Sequence, residues 1–148
     1  MSKKRSQKRI ILLYCEWENE KTCATYFKCR YSSNIRIMDG HGGSPKRTVE
    51  LAIQEKEWFD KIFVWIDTDR PEFSVAEDLA KKYNVCLIKN NQNLEKEINK
   101  VIRKNKRSKK MKLELNESLF YERIFNWLTE KEIKKFWEPF YKLIEIFK

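Results

Sequence analysis

The chain has 148 residues, 41% of them apolar, and its 32 Lys and Arg against 22 Asp and Glu give a formal net charge of +10. That length supports one ordinary domain with a real core plus an appendage, and the sign of the charge favours polyanions such as RNA or DNA over acidic proteins. Four cysteines without a C-x-x-C pair argue against a zinc ribbon or a disulfide framework. No run approaches the ~20 apolar residues that span a bilayer, and Met1 to Arg9 lacks the apolar region of a signal peptide, so the expectation is a cytoplasmic protein with no membrane segment.

After the basic leader, residues 1–9, Ile10 to Cys15 is a continuous apolar run of the kind shown by a strand buried on both faces, and it stops at Glu16. Asn19 to Arg30 is predicted as a helix with Tyr26, Phe27 and Cys23 inward. Asn34 to Met38 is a second short strand, ending at Asp39. Gly40-His41-Gly42-Gly43 is a loop that holds all three glycines of the chain. Ser44-Pro45 supplies an N-cap and a first-turn proline for a helix with Val49, Ala52 and Ile53 inward, running to about Phe59. Lys61 to Ile66 is the strongest strand and leads into Asp67-Thr68-Asp69. Pro71 to Tyr83 is helical, Val85 to Ile88 is a fourth strand, and Leu94 to Ile102 is a further helix. This βαβαβαβα order predicts an α/β domain over residues 10–102, a mostly parallel four-stranded sheet with helices on both faces.

Over residues 103–112, seven of ten positions are Lys or Arg, a composition that suits a basic linker. Beyond it, residues 113–148 form a C-terminal helical extension: an apolar segment at Leu119, Phe120, Ile124, Phe125 and Leu128, then Ile133, Phe136, Trp137, Phe140, Leu143 and Phe147 at helical spacing. Two helices are expected, the second kinked by Pro139. Nine of the chain's 20 aromatics fall from Glu117 onward. Their spacing suits a core or a dimer interface better than a base-stacking platform.

In open parallel sheets, ligands bind outside the carboxyl ends of the strands, where this sequence places Glu16, Asp39, Asp67 and Asp69, with Asn90 and Asn91 after the fourth strand. Asp67 and Asp69 together with Glu16 would form a hard-oxygen site suited to Mg²⁺ or Mn²⁺. The competing reading of Asp67-x-Asp69 is a solvated loop with a helix-capping aspartate. His41, the only histidine, lies in the glycine loop near the strand ends, where a base or phosphate contact would be useful. The runs Lys3 to Arg9 and Arg103 to Lys112 hold twelve of the 32 cations, and Lys106, Arg107, Lys109 and Lys110 are candidates for nucleic-acid contact.

Cys15-Glu16, Glu20-Lys21-Thr22, Tyr26-Phe27, Gly43-Ser44-Pro45 ahead of Val49-Glu50-Leu51-Ala52, and Val64-Trp65-Ile66-Asp67-Thr68-Asp69 together resemble the RloB-like branch of the Toprim fold, as does the asparagine-rich Asn91-Gln92-Asn93-Leu94-Glu95. The resemblance spans roughly Ile10 to Ile98. It implies a metal-dependent phosphoryl-transfer centre and, for this branch, a nuclease in prokaryotic defence against phage. By position it implies Glu16 as general acid/base or metal-linked carboxylate, Asp67 and Asp69 as metal ligands, and Glu95 as an additional acidic contact; Glu20 and Lys21 are further candidates. The family's glycine after the first glutamate is here Trp17, and its glutamate after the threonine is Cys23. Those departures motivate an alternative, a nucleic-acid-binding module without the chemistry. A third reading is a subunit of a homo-oligomer or larger defence complex joined through the C-terminal helices.

Overall fold

A strand covered on both faces must be apolar at every position, and Ile11–Cys15 (β1) meets that requirement: Leu12, Leu13 and Cys15 are wholly buried. It lies inside a sheet with Arg36–Asp39 (β2), Lys61–Asp67 (β3) and Cys86–Asn90 (β4), in the order β2-β1-β3-β4. Every pairing is parallel, with Cys15 opposite both Asp39 and Trp65, and Asp67 opposite Asn90. In this computed structural model, residues 10–40, 42–104, 112–136 and 138–148 are described. His41, Lys106, Arg107, Lys109, Lys110, Trp137 and the basic leader lie outside the described residues.

The helices are Glu18–Arg30 (α1), Pro45–Gln54 (α2), Phe73–Lys82 (α3), Leu94–Lys104 (α4), Ser118–Phe125 (α5), Glu130–Lys134 (α6) and Phe140–Phe147 (α7). Period-two alternation sorts the strand residues between two cores. Leu12, Tyr14, Ile62, Val64 and Ile66 meet Val49 and Ala52 of α2 and Ala76 and Ala80 of α3. Leu13, Cys15, Trp65 and Ile88 meet α1, α4 and the C-terminal helices. The architecture is therefore α/β, a parallel four-stranded sheet with helices on both faces and a C-terminal helical extension.

The extension packs on the sheet's own domain. Phe27 of α1 stands 5.0 Å from Phe125 and 6.2 Å from Phe140, ring centroid to centroid. Arg30 donates to the carbonyls of Phe125 and Leu128 at 3.1 and 3.0 Å, and Tyr26 Oη donates to Asn126 Oδ1 at 2.8 Å. Burial of Ile133, Phe140, Leu143, Ile144 and Phe147 makes their helical spacing a core stripe within one chain.

Some boundaries differ from the sequence expectation. Helix α2 stops at Gln54, and the continuation toward Phe59 is a separate 3₁₀ turn, Lys56–Trp58, closed by Trp58 N–H donating to Glu55 O at 3.0 Å. The helix expected to bend at Pro139 is two helices. Lys135 and Phe136 bond back three residues to Glu132 and Ile133, which closes α6, and Pro139, lacking an N–H, caps the start of α7. Helix α6 itself begins with a capping box between Thr129 and Glu132. Helix α4 runs to Lys104, two residues into the expected linker.

Candidate carboxylate site at the strand ends

The strand order reverses between β1 and β3, which makes the crevice beyond their carboxyl ends the topological switch point of the sheet, the place where α/β folds take ligands. Glu16 leaves β1 there and Asp67 ends β3. The Asp67 backbone N–H donates to Glu16 Oε2 at 3.1 Å, so the two acids are fixed against each other. Glu16 is wholly buried and Asp67 is 6% exposed.

A third carboxylate joins them from α1. Glu20 is 2% exposed and extends the buried stripe of Cys23, Ala24 and Phe27 by one turn toward the helix N-terminus. Two carboxylate oxygens, Glu16 Oε1 and Glu20 Oε2, are buried without a hydrogen-bond partner among the described residues. Such atoms forfeit hydration unless a water, a proton or an ion completes them. Burial raises the Glu16 carboxyl to about 7, opposed by the Asp67 N–H and reinforced by the Asp67 charge. Burial likewise pushes Glu20 well above the usual carboxylate range, with the charges of Asp67 and Glu16 adding to it. Asp67 is raised for the same first reason, restrained by its hydrogen bond from Asn90.

Asn90 orients Asp67. Its Nδ2 donates to Asp67 Oδ1 at 2.8 Å, while its Oδ1 accepts from Trp65 Nε1 at 2.7 Å, so both ends of the amide are committed and its direction is fixed. The strand register that sets Asp67 opposite Asn90 produces this pair. Asp69 sits outside, exposed, with Oδ2 accepting from Asn93 Nδ2 at 3.0 Å. Thr68 stitches the β3 loop to the β4 loop, donating to Asn90 O and accepting from Gln92 N–H, both at 2.8 Å.

Trp17 and Arg70 cross the glycine loop beside this site. The Arg70 guanidinium lies 5.5 Å from the Trp17 ring centroid and donates to Gly43 O at 2.7 Å. Gly42, at φ +91°, leaves room for Trp17: a Cβ there would stand 2.2 Å from the indole. A glycine is thus required in the loop for both its backbone angle and its missing side chain.

Of the remaining candidates, Lys21 is half-exposed and pairs with Asp39 at 3.7 Å. Glu95 is exposed in the first turn of α4. The structure thus brings together Glu16, Asp67 and Glu20, keeps Asp69 at the rim and sets Glu95 and Lys21 apart. Asn90 and Arg70 were not singled out as partners of the acids in the sequence, although Asn90 closes an apolar strand as Asp67 does.

Among the described residues, no three His, Cys, Asp or Glu side chains are gathered into a group that could hold a metal ion as they stand. In kind, the donors fit a hard divalent cation: two unpartnered buried carboxylate oxygens, on Glu16 and Glu20, each carboxyl feeling the charge of Asp67, all oxygen and all anionic when ionised. The fold and site define a parallel α/β domain with an acidic centre at its switch point. No protein-family model matches the chain, and neither a curated protein nor a solved structure matches it. Among the described residues, no helix is long and apolar enough to cross a membrane.

Proposed function

We propose that this chain is a metal-dependent nuclease that hydrolyses phosphodiesters of RNA or DNA, with the prokaryotic defence role that its RloB-like, Toprim-type motifs imply. The supporting observation is the pair of unpartnered buried oxygens, Glu16 Oε1 and Glu20 Oε2, beside Asp67 at the switch point. Glu16, Asp67 and Glu20 would hold Mg²⁺ or Mn²⁺, with Asp69 reaching in from the rim. A cation bound there neutralises phosphodiester charge and lowers the pKa of an attacking water. Glu16 would serve either as a ligand to that cation or, where the cation is held by the other acids, as a general acid or base, a role that burial favours by holding its carboxyl up to about 7 in the cation-free site. Asn90 holds the Asp67 carboxylate in one direction, and Arg70 offers a guanidinium to a phosphate at the mouth.

A second reading, a binding module without the chemistry, is favoured by one feature: Trp17 stands where the resemblance expects glycine and is held under Arg70 against Gly42. Incubation with tRNA, single-stranded and duplex substrates in Mg²⁺, Mn²⁺ or chelator separates the two. Metal-stimulated cleavage that is largely lost in Asp67→Asn and Asp69→Asn, with folding intact, supports the nuclease. The same variants in chelator should bind nucleic acid at least as well as the parent, because a carboxylate that repels phosphate has been removed. Binding without cleavage on any substrate selects the module.

A further inference from the structure

Next to Asn90 lies an open surface pocket of about 540 Å³ between the end of β4 and the side chains of Phe136 and Glu138. Its size is that of a small-molecule or single-nucleotide site, for which roughly 300–1,000 Å³ is usual. Its walls include two half-buried aromatic rings, Phe73 and Phe136, two lysines, Lys89 and Lys100, the exposed amide of Asn91, and the carboxylate of Glu138. We propose that this cavity is a subsite for one unpaired nucleotide of a single-stranded RNA or DNA, resting on the nuclease reading only for what happens to the phosphodiester next to it.

Each wall suits a different part of a nucleotide. Phenylalanine rings take a base face whatever the base, which is how single strands are held without sequence readout; Phe136 already carries Lys104 Nζ over its ring at 5.6 Å from the centroid, so a base at that ring shares it with a cation. Lys89 and Lys100 supply ammonium groups for the phosphates. Among the described residues Lys89 pairs with Glu77 at 3.5 Å and Lys100 with Glu97 at 2.8 Å, and an ammonium has three donors to offer. Glu138 accepts the Lys89 backbone N–H at 3.1 Å and pairs with Lys142 at 3.4 Å, which fixes a carboxylate in the wall. That carboxylate accepts from the exocyclic amines and ring N–H groups of bases and repels phosphate, so this wall suits the base end of a nucleotide rather than its phosphate. Thr68 and Asn90 form the shared wall with the acidic centre, and Asn90 donates to Asp67 through it. A base seated in the cavity therefore leaves its sugar-phosphate at the strand ends. A paired base must first be unstacked to enter, so the site discriminates against duplex.

The test is binding in chelator, where cleavage is suppressed, using the full chain and labelled single-stranded RNA and DNA of about six nucleotides against a blunt duplex. The parent should favour the single strands. Phe73→Leu/Phe136→Leu, checked for folding by thermal melting, keeps apolar bulk but removes both ring faces and should weaken single-strand binding about tenfold while leaving duplex binding unchanged. Lys100→Gln, checked for folding in the same way because Lys100 pairs with buried Glu97, should lower the single-strand salt slope by about 0.7. Equal loss for both nucleic-acid forms in the Phe variant, or no loss in either variant, overturns the subsite. If single-strand preference and its loss in these variants persist while no substrate is ever cleaved, the subsite stands and the nuclease reading falls. If metal-stimulated cleavage is robust and the Phe variant changes neither binding nor substrate preference, the nuclease stands and the subsite falls.

Discussion

Replacing Glu16 with glutamine measures how strongly the fold works against its own acidic centre. The carboxyl, which ordinarily titrates near 4.5, is held up to about 7, chiefly by burial. Between those values the folded protein keeps a proton that the unfolded chain has released, so stability declines as pH rises through the window and levels off above about 7. The shift corresponds to at most about 3 kcal/mol of stability lost between pH 4.5 and pH 8. Glu16→Gln keeps the volume and an oxygen to accept the Asp67 N–H while removing the charge. In chelator, urea unfolding should therefore give nearly equal stability for parent and variant near pH 4.5, with the variant more stable by up to about 3 kcal/mol at pH 8. For a chain of this length that is a difference in Tm on the order of 10 °C. Added Mg²⁺ at pH 8 should close the gap by stabilising the parent alone. A variant whose stability follows the same pH dependence as the parent would refute the argument, because the charge on Glu16 would then cost the folded state nothing.

Three further outcomes follow from other parts of the molecule. Phe125→Ala removes a wholly buried ring packed between Phe27 and Phe140 and should cost about 3–5 kcal/mol in denaturant unfolding; a loss under 1 kcal/mol would mean that the C-terminal helices are not part of the domain core. Gly42→Ala should be destabilising, and Trp17→Ala in the same chain should recover only part of the loss, since the clash is relieved and the φ of +91° is not; full recovery would show that the backbone angle carries no cost. Changing Lys106, Arg107, Lys109 and Lys110 to Gln should flatten the salt dependence of duplex DNA affinity by up to about 0.9 per lost phosphate contact, and an unchanged slope would assign those cations to solvent.

The sheet was legible because β1 and β3 are apolar runs that stop at an acid, so hydrophobic run length located those strands and the ends where Glu16 and Asp67 stand, while β2 and β4 are of mixed polarity. The partnership of those residues was less so. That β1 and β3 are neighbours depends on strand order, which no local pattern encodes, and the pairing of Asp67 with Asn90 depends on register between β3 and β4. Glu20, a candidate from the Glu20-Lys21-Thr22 string, owes its burial to the stripe it extends, since position 20 stands three and four residues before Cys23 and Ala24 on the buried face of α1. Asp69, equal to Asp67 in the motif, lies at the rim because the chain turns after Thr68, whose hydroxyl is tied to Asn90 and Gln92. At Pro139 the sequence suggests a kink rather than a break because helical spacing continues through Phe136 and Phe140 across a proline that begins a new helix.

Helix α1 bears Glu20 near its first turn and Arg30 in its last, and Arg30 clasps the carbonyls of Phe125 and Leu128 while Tyr26 and Phe27 lie under the C-terminal rings. The acid and the clasp thus ride on one rigid rod. Excising residues 10–102 as a fragment would strip the covering from Phe27, strand the guanidinium and free the rod to tilt, and the carboxylate at its other end would tilt with it. The half that carries the acidic centre is therefore expected not to stand alone: the C-terminal helices packed on α1 are the abutment against which Glu20 is held.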